Sequence, residues 1–343
     1  MEVFMAGTLV VLGLIAWPAR GLEFRNSTVE LLPLESDQRQ FLETLADDYP
    51  ATTTDGIEVI SLGDILATEH FAADHLEAIP GTKLLTNTEG NYATQMDGYV
   101  SVVLDVLSDD PEGADARAAV AEIREAAPGD YAVYVTGPAA RLLDFEEQLT
   151  AGAPTAAIII CLAVFILMFL FTGSVLIPIK ALITNAFSLL ACLGVVTWVF
   201  QEGHLEKLLG FNAMNGIESY IVVLMLIFGF GLAMDYEVFL ISRIKEAWDR
   251  TGDPQGSVRE GLQHSGRIIT SAALIIVMVF LGFTAGDLVI IKEIGFGLAV
   301  AVTLDATLVR MLLVPATMTI LGKWNWWAPR PLAWLHAKLR LSE

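Results

Sequence analysis

The sequence is poor in cysteine, in positive charge and in charge altogether. Its two cysteines, Cys161 and Cys192, both lie inside apolar runs, which excludes a disulfide framework and a zinc-ligand spacing. Twenty Lys and Arg against 40 Asp and Glu leave a formal charge of −20, which repels a nucleic-acid backbone. Charged residues make up 17% of the chain and apolar residues 54%. An ordinary soluble domain is about 25% charged, so a soluble enzyme or a disordered chain is excluded. There is no GxxxxGK(S/T) phosphate loop, no GxSxG and no HExxH. His70 and His75, beside Glu69 and Asp74, suggest a metal cluster, but the i, i+5 spacing keeps the two imidazoles off one helix face. Neither an enzyme nor a metal or cofactor site is expected.

What charge there is lies unevenly. Residues 21–153 carry 26 acidic and 6 basic side chains, while the other 210 residues hold 14 of each. A very acidic soluble segment is therefore set into a neutral, apolar remainder, and the length also suggests about two units.

About 20 consecutive apolar residues cross a bilayer as a helix. Six such runs are present. Five are Val3–Ala19, Pro154–Phe171, Val175–Phe200, Glu218–Ile241 and Arg267–Ala285. The sixth runs from near Lys292 to between Arg310 and Leu321, with Pro315 expected to kink or stop it. The first run has the length of a signal peptide, but Glu2 precedes it and no Lys or Arg does. A membrane chain that opens almost inside its first span is expected to be the later part of a longer protein.

Lys and Arg in short loops set the orientation. With the acidic segment outside, Arg243, Lys245, Arg250, Arg259, Arg267, Lys323, Arg330, Lys338 and Arg340 gather inside, against Lys207 and Lys292 in the outer loops. Arg20, at the outer end of the first span, is a local exception. Lys180 sits near the inner end of the third span, where it is expected to snorkel. The expected fold is an α-helical protein of the cytoplasmic (inner) membrane with both termini in the cytoplasm. Residues 1–21 form the first transmembrane helix, 22–152 an acidic extracytoplasmic domain, 153–322 a five-helix transmembrane bundle and 323–343 a cytoplasmic tail. Trp324, Trp326 and Trp327 among Lys323 and Arg330 mark that tail as an interfacial anchor.

Within the insert, Ile57–Ser61, Lys83–Thr86, Tyr99–Leu107 and Tyr131–Thr136 read as strands. Ile65–Ala78 and Ala114–Ala126 read as helices, the second closed by Pro128-Gly129, and Ala139–Thr150 as a helix leading into the second span. The order is βαββαβ, and a ferredoxin-like sheet is the simplest one it makes.

The sharpest chemical feature is Asp235, within the fourth apolar run. A carboxylate in lipid is expensive, and one that switches between neutral and charged forms is what a proton relay requires. Tyr236 adds a hydroxyl beside it. Gly231 lies one turn earlier on the same face, and its missing side chain would let another helix approach. Gluing helices together is the competing role for such an acid. Glu237 is nearer the inner end and is expected to snorkel. Asp305, in the sixth run, is five residues from Arg310. That spacing places the two on different faces of an α-helix, so each is expected to pair elsewhere, with another helix or with the interface. Arg243 and Glu246 are expected to form an interfacial i, i+3 pair.

The stretch Gly231–Arg243, GLAMDYEVFLISR, resembles the signature of the MMPL family of the resistance–nodulation–division (RND) superfamily of exporters. Leu304–Arg310, Val314-Pro315 and Asn325-Trp326-Trp327 are similar to that family's last span and its exit. The resemblance covers nearly the whole chain. It implies a transporter of two pseudo-repeated halves, each with one span, a porter domain and five further spans. This chain resembles the second half: six transmembrane helices of an RND-type half-transporter, with an inserted α+β ferredoxin-like porter domain.

The resemblance also implies that Asp235 and Tyr236 face an equivalent pair from the first half and form with it a proton relay. Leu232 and Phe239 are then implied to line the channel there. Lipids, glycolipids, siderophores or drugs would be exported at the expense of the proton gradient, with no cofactor. Implied partners are membrane lipids, a hydrophobic substrate and a first-half repeat. That repeat would lie in the same longer chain, in a separate protein or in a second copy of this one. Two other readings stay open: a non-transporting scaffold or truncated remnant, and a sterol-sensing or protein-translocation relative. The Asp-Tyr pair and the Asn-Trp-Trp tail fit the MMPL family better.

Overall fold

The computed structural model describes residues 2–26, 32–33, 35–48, 56–108, 110–213 and 215–339. Arg340, counted above among the inner-end cations, lies outside them. The chain divides into two compact units, Glu35–Pro154 and the remainder. The N-terminal border of the insert falls later than residue 22, because Phe24–Arg25 pairs in parallel with Ile217–Glu218 within the other unit.

Among the described residues, six helices are long and apolar enough to cross a membrane: Glu2–Gly21, Pro138–Thr172, Leu176–Gln201, Ser219–Thr251, Pro254–Phe283 and Val289–Trp326. Several outrun the apolar runs that predict them. The fourth continues to Thr251 because its polar end is itself helix-forming. Arg243 and Glu246 pair there at 3.0 Å, and Lys245 pairs with Asp249. Gly252, at φ 63°, ends this helix, and its N–H donates to the Trp248 carbonyl at 2.8 Å. Asp253 caps the fifth helix by accepting from the Gln255 N–H at 3.0 Å, and Pro254 fills the first helical position.

The sixth span is not one regular helix. It is α-helical over Val289–Leu304, π-helical over Asp305–Leu313 and α-helical again over Val314–Leu321. Pro315 therefore does not stop the span. It stands where the π segment passes into the last α segment, one residue after Val314, whose N–H still donates to the Val309 carbonyl.

The third and sixth spans are the most buried, and the first, second and fifth the most open. Small residues let the central helices approach closely, as transmembrane packing requires. A Cβ on Gly194 would overlap the Ile15 carbonyl, so the first and third spans meet backbone to backbone. The tail is tied to the bundle through Asn325, whose amide donates to the carbonyls of Met318 at 2.6 Å and Gly322 at 2.7 Å. Trp326 stacks on Trp248, with ring centroids 5.7 Å apart.

Among the described residues, the insert's sheet has four main strands, β1 (Ile57–Ser61), β2 (Thr82–Leu84), β3 (Val100–Val106) and β4 (Val133–Thr136), with the short strand Thr94–Gln95 also pairing with β3. They lie in the order β2-β3-β1-β4, and every neighbouring pair is antiparallel. Helix α1 (Ile65–Phe71) connects β1 to β2, and α2 (Ala114–Ala126) connects β3 to β4. Asp64 caps α1 by accepting from the Ala67 N–H at 2.8 Å. Alternate residues Ile57, Val59, Val102 and Leu104 turn inward onto Ala119, Val120 and Ile123, the period-two against period-3.6 match that the alternation predicts. Arg124 grips Asp144 with two hydrogen bonds, of 2.6 and 3.0 Å.

Candidate intramembrane charge site

The fourth span presents three faces to different surroundings. Gly231 and Asp235, one turn apart, are both exposed, and nothing lies within 4 Å of where a Cβ on Gly231 would stand. No helix of the described chain covers this acid. A second face carries Leu232, which packs with Ala273, Val302 and Ala306. Phe239 is half-buried in another cluster and lies 5.6 Å from the Arg243 guanidinium. Glu237, two residues beyond Asp235, is 3% exposed, and one of its carboxylate oxygens has no hydrogen-bond partner. It does not snorkel. Two residues turn a helix by about 200°, so the side opposite an open face is a buried one.

Arg310 is the largest fully buried side chain. Its Nε donates to Asp305 Oδ2 at 2.6 Å, and its Nη2 donates to the Ala233 carbonyl at 2.5 Å. The guanidinium carbon lies 5.0 Å from the centre of the Tyr236 ring, a cation–π contact. Asp305 and Arg310 thus pair with each other, contrary to the α-helical expectation. The π-helix that begins at Asp305 bonds i to i+5 and brings residues five apart onto one face. A void of about 10 Å³ adjoins Tyr236 and Asp305, between Gly229, Leu232 and Ala301. Tyr236 therefore sits between the open carboxyl of Asp235 and a locked ion pair.

Lys180 is also buried rather than snorkelled, and its ammonium makes no hydrogen bond. It lies within electrostatic reach of Glu237, which also feels Arg310 and Asp305. A signal for this inward position was present in the third span. Lys180, Thr184, Asn185 and Ser188 recur at helical spacing, and all four are buried. A run judged by mean hydropathy alone hides such a stripe. Among the described residues, no group of three His, Cys, Asp or Glu is placed to hold a metal ion.

Residues 34–336 match the MMPL family. A membrane protein of Streptomyces coelicolor is 38% identical over 339 residues, 99% of this chain and 46% of that protein. The trehalose monomycolate exporter MmpL3 of Mycobacterium tuberculosis is 42% identical over 231 residues, 67% of this chain and 24% of that one. The heme uptake protein MmpL11 of the same organism is 40% identical over 231 residues, 66% of this chain and 24% of that one. The chain spans about half the length of the first relative and matches about a quarter of the other two.

Proposed function

The chain belongs to the MMPL family, and from that premise we propose that it is the C-terminal half of a proton-driven transporter that exports hydrophobic or amphipathic substrates. One observation carries this reading: Asp235 is exposed in the middle of an apolar helix, with Gly231 bare on the same face. An ionised carboxylate facing lipid costs about 2.5–3.5 kcal/mol even on lenient scales. Such a face is one that another helix or a water-filled path covers, and relatives more than twice as long contain chain enough to supply it.

In this reading a proton arriving from outside neutralises Asp235 and weakens its contact across the interface between the halves. Tyr236 carries the change toward Arg310, while Asp305 holds that guanidinium in place. Each charge moved through 100 mV supplies about 2.3 kcal/mol, so a few protons are enough to drive one cycle. The acidic insert acts as a ferredoxin-like porter domain outside the cytoplasmic membrane, a reading its strand order supports. The Lys and Arg bias supports cytoplasmic termini. The chain carries substrate without altering it and needs no cofactor. The substrate class, a lipid, glycolipid, siderophore or drug, is supported on its glycolipid side by the relative named as a trehalose monomycolate exporter.

Export of labelled lipid from cells carrying the full transporter tests this. Asp235→Asn should accumulate normally in the membrane and abolish export, and an uncoupler should stop the wild type. Export retained in Asp235→Asn would remove the relay role. Inward transport is the second reading, favoured by the relative named for heme uptake, so the label should be followed in both directions.

A further inference from the structure

The buried side of the fourth span carries an acid that the relay leaves unused, Glu237. It follows Ala233 by four residues and Met234 by three, so the three share one face of the helix. Each of the first two holds a polar side chain from another span. From the sixth, Arg310 Nη2 donates to the Ala233 carbonyl at 2.5 Å. From the third, Asn185 Nδ2 donates to the Met234 sulfur at 2.8 Å. These contacts fix the levels of three helices one turn before Glu237.

The third and fourth spans are consecutive and run antiparallel. Toward the end of the bundle where the third begins and the fourth finishes, Lys180 lies five residues from Asn185, about 7.5 Å at 1.5 Å per residue. Toward the same end Glu237 lies three residues from Met234, about 4.5 Å. Lys180 and Glu237 therefore stand within about 3 Å of one depth. Four buried polar atoms of this layer make no hydrogen bond: Lys180 Nζ, Asn185 Oδ1, Glu237 Oε1 and Arg310 Nη1. Two of them donate and two accept, yet no two are bonded to each other. Thr184 turns its hydroxyl back onto its own helix, to the carbonyls of Lys180 and Ala181 at 3.0 Å each. From the packed spans, the charges acting on Glu237 are Lys180, Arg310 and Asp305. On its own helix Asp235 is exposed, and Arg243 is paired with Glu246 at 3.0 Å. The first and fifth spans meet this cluster through apolar side chains, Leu12 and Ile269.

Buried polar groups bond to protein or to ordered water, and one internal water takes two to four such partners. Donors and acceptors matched in number but spaced apart are what water joins, since it both donates and accepts. We propose that Glu237 is a second proton-binding residue of the bundle, linked by internal water to Arg310 on one side and to Asn185 and Lys180 on the other. A carboxyl serves such a network in both forms. Ionised, it accepts through water from the ammonium and the guanidinium. Protonated, it donates toward Asn185 Oδ1. The proton arrives on water, forms the O–H of the Glu237 carboxyl and leaves to water again, so no other reactant is consumed. In transport, a use that rests on the proposed function, Glu237 takes the proton from the Asp235–Tyr236 face to the opposite side of the same helix.

Infrared difference spectroscopy of the full chain in detergent, with the pH stepped, reads the carboxyl directly. A protonated-carboxyl band should titrate in the wild type and in Asp235→Asn, and should be lost in Glu237→Gln. Its midpoint should move in Lys180→Met, which removes a cation at the same depth. Exchange into water carrying oxygen-18 should shift an internal-water band that is weakened in Asn185→Leu. Identical pH-step spectra of the wild type and Glu237→Gln would overturn the proposal, and so would a water band unchanged in Asn185→Leu. Should Glu237→Gln fail to fold, Glu237→Asp keeps the carboxyl, and a band that holds its frequency in that variant would be equally fatal. In cells carrying the full transporter, Glu237→Gln should lose export and Glu237→Asp should keep it with a displaced pH profile, which a purely structural acid would not give. The two readings fail separately. Export by Asp235→Asn would end the relay and leave the Glu237 band, whereas a silent Glu237 beside an inactive Asp235→Asn would end this proposal alone.

Discussion

Arg310 holds Asp305 from five residues further along the same helix, Nε to Oδ2 at 2.6 Å, and this reach exists because the sixth span opens into π geometry at Asp305. Both groups are buried, so removing one strands the other without compensation. Loss of one partner of such a pair costs about 3–5 kcal/mol, whereas replacing both by apolar residues is often neutral. Arg310→Met should therefore lower the thermal midpoint in detergent sharply, and Arg310→Met with Asp305→Leu should recover most of it. A double variant no more stable than the single would show that the π segment, and not the stranded charge, sets the loss.

Two glycines of the bundle should respond in opposite ways. Gly194→Leu drives a side chain into the Ile15 carbonyl, and overpacking of this kind typically costs about 1–3 kcal/mol. At Gly231 an added Cβ meets nothing within 4 Å among the described residues, so the stability of Gly231→Leu should stay within about 0.5 kcal/mol of the wild type, as for surface changes generally. If the proposed first-half repeat covers this face, copurification with it should nevertheless fail for Gly231→Leu. Melting curves read the first effect and pull-down stoichiometry the second. Normal assembly by Gly231→Leu would mean that the partner meets some other face.

The six spans and the βαββαβ order were legible because each follows from a local pattern, apolar length in one case and alternation in the other. The placement of charge within the bundle was not. Glu237 and Lys180 read as interfacial by their distance from the ends of the apolar runs, yet the packing of the third against the fourth span turns both inward. The Asp305–Arg310 pair was hidden by an assumption of 3.6 residues per turn, which a π segment breaks. Pro315 read as a kink or a stop, and the span runs on past it to Leu321. Helix geometry that depends on neighbours leaves little trace in a one-dimensional pattern, whereas the polar stripe Lys180, Thr184, Asn185, Ser188 did leave one.

The insert should be stabilised by salt. Residues 21–153 carry 26 acids against 6 bases, and a net charge this far from zero repels itself in the compact state. Screening lengths fall from about 30 Å at 0.01 M to about 8 Å at 0.15 M salt, so the unfolding midpoint should rise over that range. The Arg124–Asp144 and Arg117–Glu146 bridges work against this trend, since salt weakens them too. Exposed pairs are worth only about 0–1 kcal/mol each, so relief of repulsion should win. A midpoint that falls with added salt would assign these bridges a larger share than their exposure allows.

Lys180 and Glu237 offer the sharpest test of how charge is shared inside the bundle. Neither is within salt-bridge distance of the other, yet both are buried, each has an unbonded polar atom, and each feels the other. Glu237 also feels Arg310, so the ammonium and the guanidinium act on one carboxylate from two spans. Lys180→Met and Glu237→Gln should each lower the thermal midpoint, and the double variant should lose less than the two losses added together. Coupled neighbours show interaction energies of about 0.5–3 kcal/mol in such cycles. A result in that range would place the Lys180–Glu237 pair in the same electrostatic unit as Arg310 and Asp305. Repeating the cycle in the Arg310→Met background should then enlarge the coupling, because of the two cations acting on Glu237 Lys180 alone is left. Strict additivity in both backgrounds would show two independent buried charges, each stabilised by local packing alone.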